Sequence, residues 1–257
     1  MCDGGYIYMN SRSCTEKLCV GFLSDIGNIR EINEDSIGKY ENDEFAVYIV
    51  ADGMGGHNAG DVASKIAVES CIEYIKRNRY LDDMERLLKE SIKYANNNIY
   101  IKAENSEMLY GMGTTITACI IQNEKVVIAN VGDSSCYIVK EENIKKITKD
   151  HSLVQELVDD GSITEEEAVN HPNKNIITRA LGTKKTVKID TFNVEITSNT
   201  KIVLCTDGLS NEVSKEEMYS IISENTNQQA CKLLVELCKN KSGRDNISVI
   251  IFGGMQK

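Results

Sequence analysis

The apolar residues of the chain fall into short runs that end at glycine-rich or polar turns, a pattern typical of β-strands. Several runs are rich in β-branched residues and have the length of a buried strand. Successive runs in the middle of the chain are joined by tight turns, which favours sheets built from sequence neighbours. Strands are predicted at 18–24, 45–51, 114–122, 125–131, 135–139, 187–192, 201–205 and 247–252.

Helices are predicted where apolar residues recur every three to four positions. This period appears at 61–78, at about 82–102 and at 228–239, and the short link between the first two favours an antiparallel pair. Two short polar helices are predicted at 152–160 and 164–170. Runs of adjacent strands and helix pairs indicate an α+β fold.

Composition excludes several classes of protein. The chain has 257 residues with 29 basic and 39 acidic side chains, and this net charge of −10 disfavours a nucleic-acid-binding face. The longest apolar run, 45–51, is far too short for a membrane span, and no secretory signal precedes it. An odd number of cysteines, nine, favours reduced thiols. We therefore expect a cytoplasmic protein without membrane insertion or nucleic-acid binding.

Four aspartates follow predicted strands or stand at turns: Asp52, Asp133, Asp207 and Asp245. Two of them end similar segments, FAVYIVADG and KIVLCTDG. Each one alone could be a turn residue that bonds its own backbone. If the strand ends converge, the carboxylates repel one another and require a cation, and oxygen ligands without Cys or His favour Mg²⁺ or Mn²⁺. Two such ions sharing a carboxylate can generate hydroxide from water.

Arg30 precedes Glu34 and Asp35 in the segment REINED. A guanidinium can bind two phosphate oxygens at once, but an ordinary surface ion pair fits the local sequence equally well.

Eight segments together resemble the metal-dependent protein phosphatases, the PPM or type-2C family, in its bacterial form. They occur in family order and span nearly the whole chain from residue 18, whereas residues 1–17 match nothing. The segments are SDIGNIREINED, VADGMGGHNAG, GMGTT, NVGDSSCY, TKDHS, GSITEEEAVNHPNKNIITRALG, LCTDGLSN and GRDNIS.

The resemblance implies a four-layer sandwich: two antiparallel β-sheets flanked on both faces by antiparallel helix pairs, with a helical flap at 152–175. It implies one phosphatase domain at 18–257 and an extension of unknown role at 1–17. It further implies hydrolysis of phosphoserine and phosphothreonine on proteins by a hydroxide activated at a binuclear Mn²⁺ or Mg²⁺ centre.

Carried over position by position, the resemblance gives Asp52 the bridge between two ions, with the carbonyl of Gly53 completing one shell. Asp207 and Asp245 would bind the first ion, and Asp207 would share a third, weaker ion with Asp133.

The second ion would be held by Glu34 through water, with Asp35 as support, and Arg30 would bind the substrate phosphate. Animal members place a histidine directly after the Asp-Gly pair, where this chain has Met54, so the general acid is left open between His57 and a metal-bound water. The expected partners are phosphorylated proteins and an opposing Ser/Thr kinase in signalling, and we expect a monomer.

Three alternatives remain at this point. A Cys-dependent phosphatase needs Cys-x5-Arg, which occurs at 71–77 and at 238–244, with Cys238 and Arg244 as the more plausible pair. A nucleotide site lacks its G-x-x-x-x-G-K motif. A non-catalytic phosphoprotein-binding module of the same fold is disfavoured by the complete set of acids.

Overall fold

Two antiparallel β-sheets form the centre of the protein, in a computed structural model that describes residues 18–55, 59–81 and 83–254. The first sheet has the strand order β1-β11-β10-β7-β8. Its strands are β1 (Val20–Asp25), β7 (Ser135–Lys140), β8 (Asn143–Lys146), β10 (Lys201–Cys205) and β11 (Ile247–Gly253).

The second sheet has the order β2-β3-β5-β6-β9, and the short strand β4 (Gly113–Thr114) pairs with the end of β3. Its central strands are buried on both faces, which explains their continuous apolar sequences. The remaining strands are β2 (Asp35–Glu41), β3 (Ala46–Met54), β5 (Ile116–Gln122), β6 (Lys125–Val131) and β9 (Asp190–Glu195).

Helices cover the outer faces of both sheets. The pair α1 (Ala59–Arg77) and α2 (Met84–Glu104) packs on the second sheet. The first sheet is covered by three helices: α5 (Asp207–Ser210), α6 (Lys215–Glu224) and α7 (Asn227–Lys241). This arrangement confirms the four-layer α+β sandwich.

The apolar core lies in three layers, one between the sheets and one beneath each set of helices. Between the sheets, the rings of Tyr48 and Phe252 stack with their centroids 4.3 Å apart. The Tyr48 hydroxyl donates to Glu41 at 2.8 Å, so this large side chain is buried without an unpaired polar atom. The space between the sheets is therefore filled by apolar side chains.

The two short helices of the polar insert are α3 (Leu153–Asp159) and α4 (Glu165–Val169), and neither contains a buried residue. A 3-10 turn occupies Glu107–Leu109. Among the described helices, none has both the length and the apolar character that a bilayer crossing requires.

The sequence-based strand predictions needed three corrections. The strand predicted at 187–192 begins later, at Asp190. This residue lies opposite Asn130, where the pairing of this segment with β6 begins. Strands β2 and β8 and the four-residue α5 were missed because they are short or rich in polar residues. The predicted strand 114–122 is divided into β4 and β5.

Candidate active site

Four aspartates from the two sheets come together where the strands end. Asp52 in β3 lies directly opposite Asp35, the first residue of β2, across their antiparallel ladder. Asp207 begins α5 directly after β10, and Asp133 stands in the turn between β6 and β7. Asp35 and Asp133 are buried, and the other two are half-buried. The convergence predicted for Asp52, Asp133 and Asp207 is present.

The carboxyl groups of Asp52 and Asp207 are in contact. Burial raises the pKa of Asp52 well above its ordinary value, and the charges of Asp207 and Asp35 raise it further. Burial also raises the pKa of Asp207, although the hydrogen bond from Asp52 opposes that shift. Each of these two neighbouring carboxyl groups therefore opposes ionisation of the other, and a bound cation would relieve that repulsion.

The two flanking aspartates are also weak acids. Burial raises the pKa of Asp35 to about 7, although the Thr206 hydroxyl donates a hydrogen bond to its carboxylate at 2.8 Å and opposes that shift. Burial, together with the charges of Asp207 and Asp150, raises the pKa of Asp133 to about 8. The site thus gathers more negative charge than it can hold ionised near neutral pH without a counter-ion.

The donor atoms of this cluster fit a hard divalent ion. Asp35, Asp133 and Asp207 each carry a buried carboxylate oxygen without a hydrogen-bond partner. Such oxygens are the preferred ligands of Mg²⁺ and Mn²⁺. In the described parts of the chain, however, no three acid, histidine or cysteine side chains are already grouped as in a completed metal site. The chemistry fits, and the carboxylates must shift to complete a coordination shell.

Asp245, the fourth predicted aspartate, is held by Arg30 at the exposed edge of the site. Arg30 Nη2 lies 2.9 Å from each carboxylate oxygen of Asp245, and Nη1 lies 3.9 Å from Glu34. The Arg30 side chain is 46% exposed, so its guanidinium is open to a ligand from solvent. The ion pair considered from the sequence is present, and it lies beside the acids.

Glu34 is held close to β3 by two glycines. Gly53 donates its N–H to the Glu34 carbonyl at 3.1 Å. A Cβ on Gly53 would lie 2.0 Å from the Gly60 carbonyl oxygen, and one on Gly60 would lie 2.4 Å from Glu34 Oε1. Only glycine allows the start of α1 to approach this strand so closely. The Gly53 backbone is thereby fixed beside Glu34.

Three residues that sequence reasoning did not single out position the site. The Asp52 N–H donates to the hydroxyl of Thr115 at 2.9 Å. The hydroxyls of Thr115 and Ser134 form a hydrogen bond with each other at 2.8 Å. Asn246 accepts the N–H of Glu34 at 2.8 Å. These residues lie in GMGTT, NVGDSSCY and GRDNIS, segments already quoted, but nothing in the sequence reveals their hydrogen-bond partners.

His151 is a buried hydrogen-bonding residue near the acid cluster. Its Nδ1 accepts the N–H of Gly132 at 3.0 Å, next to Asp133. Its Nε2 lies 3.1 Å from Asp190 Oδ2 and 2.8 Å from Arg179 Nη1. Its Nε2 therefore lies between the Asp190 carboxylate and the Arg179 guanidinium, which themselves form an ion pair at 3.1 Å. His57, the predicted catalytic histidine, lies outside the described residues.

The cysteine alternative is contradicted by the structure. Cys238 lies inside α7, buried, and its thiol contacts the Gly208 carbonyl at 3.1 Å. Burial raises the pKa of Cys238 to about 11. Cys71 is buried in α1, where burial raises the pKa of its thiol to about 12. A Cys-dependent phosphatase needs a thiolate at neutral pH, and both environments oppose it.

Comparison with known proteins identifies the family of this chain. The family model described as protein phosphatase 2C matches residues 30–235. The chain belongs to the protein phosphatase 2C family. The serine/threonine phosphatase stp of Listeria innocua is 43% identical over 235 residues, which is 90% of this chain and 93% of that one.

Solved structures of this phosphatase family share the fold. The serine/threonine phosphatase Stp1 from Staphylococcus aureus has a TM-score of 0.87 at 32% identity, covering 99% of this chain and all of that one. The catalytic domain of PstP in complex with two manganese ions has a TM-score of 0.82 at 32% identity, covering 92% and 97%. This protein is a serine/threonine protein phosphatase of the 2C type, and its substrates are phosphoproteins.

Proposed function

We propose that this phosphatase hydrolyses phosphoserine and phosphothreonine by direct attack of water, with two Mn²⁺ or Mg²⁺ ions held by the converging aspartates. The observation that carries the proposal is the cluster of buried acids that raise one another's pKa and keep unpartnered oxygens. The PstP relative that was solved with two manganese ions supports the number of ions.

We assign the ion ligands on the family resemblance, and the convergence of the aspartates supports that assignment. Asp52, at the centre of the cluster, would contact both ions, with the Gly53 carbonyl beside it. Asp207 and Asp245 would hold the first ion. Bound divalent ions would supply the charge that lowers the pKa of water and neutralises phosphate.

The outer acids complete the arrangement. Glu34 would hold the second ion through water, with Asp35 as support beneath it. Asp133 would share a third, more weakly held ion with Asp207. Burial raises the pKa of Glu34, Asp35 and Asp133 in the metal-free protein. Ion binding would therefore be coupled to the release of protons from these acids.

Arg30 would bind the substrate phosphate. Its guanidinium is held beside the acids by Asp245 and is open to solvent. A forked donor of this kind orients two phosphate oxygens for in-line attack. His57 or a water molecule would protonate the leaving oxygen.

The biological setting is proposed on the family resemblance. We infer a cytoplasmic monomer that acts in signalling against a Ser/Thr protein kinase, without nucleic-acid or membrane partners. Residues 18–257 would act as one phosphatase domain with a substrate-facing flap at 152–175, and 1–17 as an extension.

The test is metal-dependent turnover of a phosphothreonine peptide. After chelation, activity should be lost, and Mn²⁺ or Mg²⁺ should restore it while Ca²⁺ should not. Full turnover by the chelated protein would refute the metal mechanism. Peptide binding without turnover under any metal would favour the non-catalytic module.

A further inference from the structure

The loop that carries Arg30 also exposes three isoleucines. Ile29 is 67% exposed, and Ile26 and Ile32 are each 37% exposed. Single exposed apolar residues are common on protein surfaces. These three lie within seven positions of one another on the segment that carries Arg30, and together they form an apolar rim.

This isoleucine loop is rigidly anchored. The Nδ2 of Asn246 donates to the carbonyls of Ile26 and Ile32, both at 3.0 Å, so one buried side chain holds both ends. Asn28 donates its N–H to Gly243 at 2.7 Å, and its side chain to the Lys239 carbonyl at 2.8 Å. The isoleucines are therefore presented at fixed positions, and a ligand would not have to order them.

The loop fixes the distance between its apolar and charged contacts. Ile29 and Arg30 are neighbours in sequence, with Cα atoms about 3.8 Å apart. An extended peptide advances about 3.3 to 3.6 Å per residue, so a phosphate on Arg30 brings the next substrate residues alongside the isoleucines.

We propose that Ile29, with Ile26 and Ile32 beside it, selects substrates that carry an apolar side chain one or two positions from the phosphorylated residue. The inference rests on the proposed phosphate-binding role of Arg30. Burying roughly 40 Å² of apolar surface would improve kcat/KM about fivefold.

The experiment compares two phosphothreonine peptides that differ only in having Leu or Ser on both sides of the phosphothreonine. We expect the wild-type enzyme to prefer the Leu peptide about fivefold in kcat/KM, and Ile29→Ser to reduce that ratio below about twofold. Ile101→Ser removes an isoleucine of similar exposure, 48%, from α2 and should keep the wild-type ratio. Because both peptides report on the same active fraction, a folding defect cancels from the ratio.

The outcomes separate this inference from the proposed function. Equal rates on the two peptides in the wild type, or an unchanged preference in Ile29→Ser, would overturn the apolar selection alone. Failure of the wild-type enzyme to hydrolyse p-nitrophenyl phosphate with Mn²⁺ would overturn the proposed function and this inference together, since that substrate has no flanking residues.

Discussion

The carboxylate of Asp35 accepts a hydrogen bond from the hydroxyl of Thr206 at 2.8 Å, which joins the first residue of β2 to the residue before Asp207. The same hydroxyl accepts the N–H of Ser248 in β11 at 3.0 Å. The acid opposite Asp52 is thus tied to the other sheet. The site is assembled by the contact between the sheets, so its geometry depends on the fold as a whole.

Removing one central carboxylate should abolish catalysis without unfolding the protein. Asp52→Asn and Asp207→Asn should each lower the turnover of p-nitrophenyl phosphate in Mn²⁺ by about 100-fold or more. Circular dichroism should show a folded protein, because the change relieves repulsion between buried acids. Asp43→Asn alters an exposed acid between β2 and β3 and serves as the control. Near-wild-type turnover by either central variant would remove that residue from the centre.

The metal-free protein should lose stability as pH rises. Asp35 and Asp133 have pKa values of about 7 and about 8 in the folded state, against an ordinary value of 3.8. The folded state therefore binds more protons, and this contribution is complete below about pH 4 and lost as pH rises through about 7 to 8. The measurement is the melting temperature as a function of pH, taken for the chelated wild-type protein and for chelated Asp133→Asn. Parallel curves for the two proteins would contradict these pKa shifts.

Arg30→Ala should raise KM more than it lowers kcat, since the phosphate that we propose Arg30 binds is present before and during reaction. We expect KM for p-nitrophenyl phosphate to rise about tenfold. The half-saturating Mn²⁺ concentration should fall. The reason is that Asp245 loses its ion pair with the Arg30 guanidinium, whose Nη2 lies 2.9 Å from both carboxylate oxygens. Arg30→Lys keeps the positive charge but lacks the two parallel N–H donors of the guanidinium. It should restore the wild-type half-saturating Mn²⁺ concentration, whereas KM should stay raised. An unchanged KM in Arg30→Ala would exclude phosphate binding there.

Asp133→Ala should remove the weakest ion and leave the other two. Titration calorimetry with Mn²⁺ should show one fewer ion than the wild type, with a lower turnover. The reason is that Asp133 comes from the β6–β7 turn, whereas the acids proposed to hold the other two ions include Asp35 and Asp52, which pair across β2 and β3. An unchanged stoichiometry would contradict a third ion at Asp133.

Gly53→Ala should destabilise the protein by about 2 kcal/mol or more, because its Cβ would meet the Gly60 backbone at 2.0 Å. The matched control is Gly161→Ala, where a Cβ meets nothing within 4 Å and only the left-handed backbone at φ +78° is strained. Chemical denaturation measures both. A smaller loss in Gly53→Ala than in Gly161→Ala would contradict the close approach of α1 to β3.

The sequence predicted those elements and residues that a local pattern of apolar and polar positions reveals. The β3 and β10 strands and the two long helices follow from apolar periodicity. Asp52 and Asp207 follow from their position at the end of a buried apolar run. Strand β2 was missed because Gly38, Lys39 and Glu41 interrupt its alternation. Its burial comes from packing against α1 and β3, which no local pattern records.

The supporting contacts could not be predicted for the same reason. Thr115 and Asn246 are ordinary polar residues in sequence, and their roles arise from partners 63 and 212 positions away. The pairing of Arg30 with Asp245 spans 215 positions. The resemblance to a family supplies candidate residues, whereas such distant contacts appear only in the folded chain.

The central claim is that the converging aspartates hold paired divalent ions, and anomalous diffraction from crystals grown in Mn²⁺ tests it most directly. The account predicts two strong manganese peaks bridged by Asp52, one of them also bound by Asp207. Crystals with saturating Mn²⁺ and no anomalous peak beside Asp52 would contradict it.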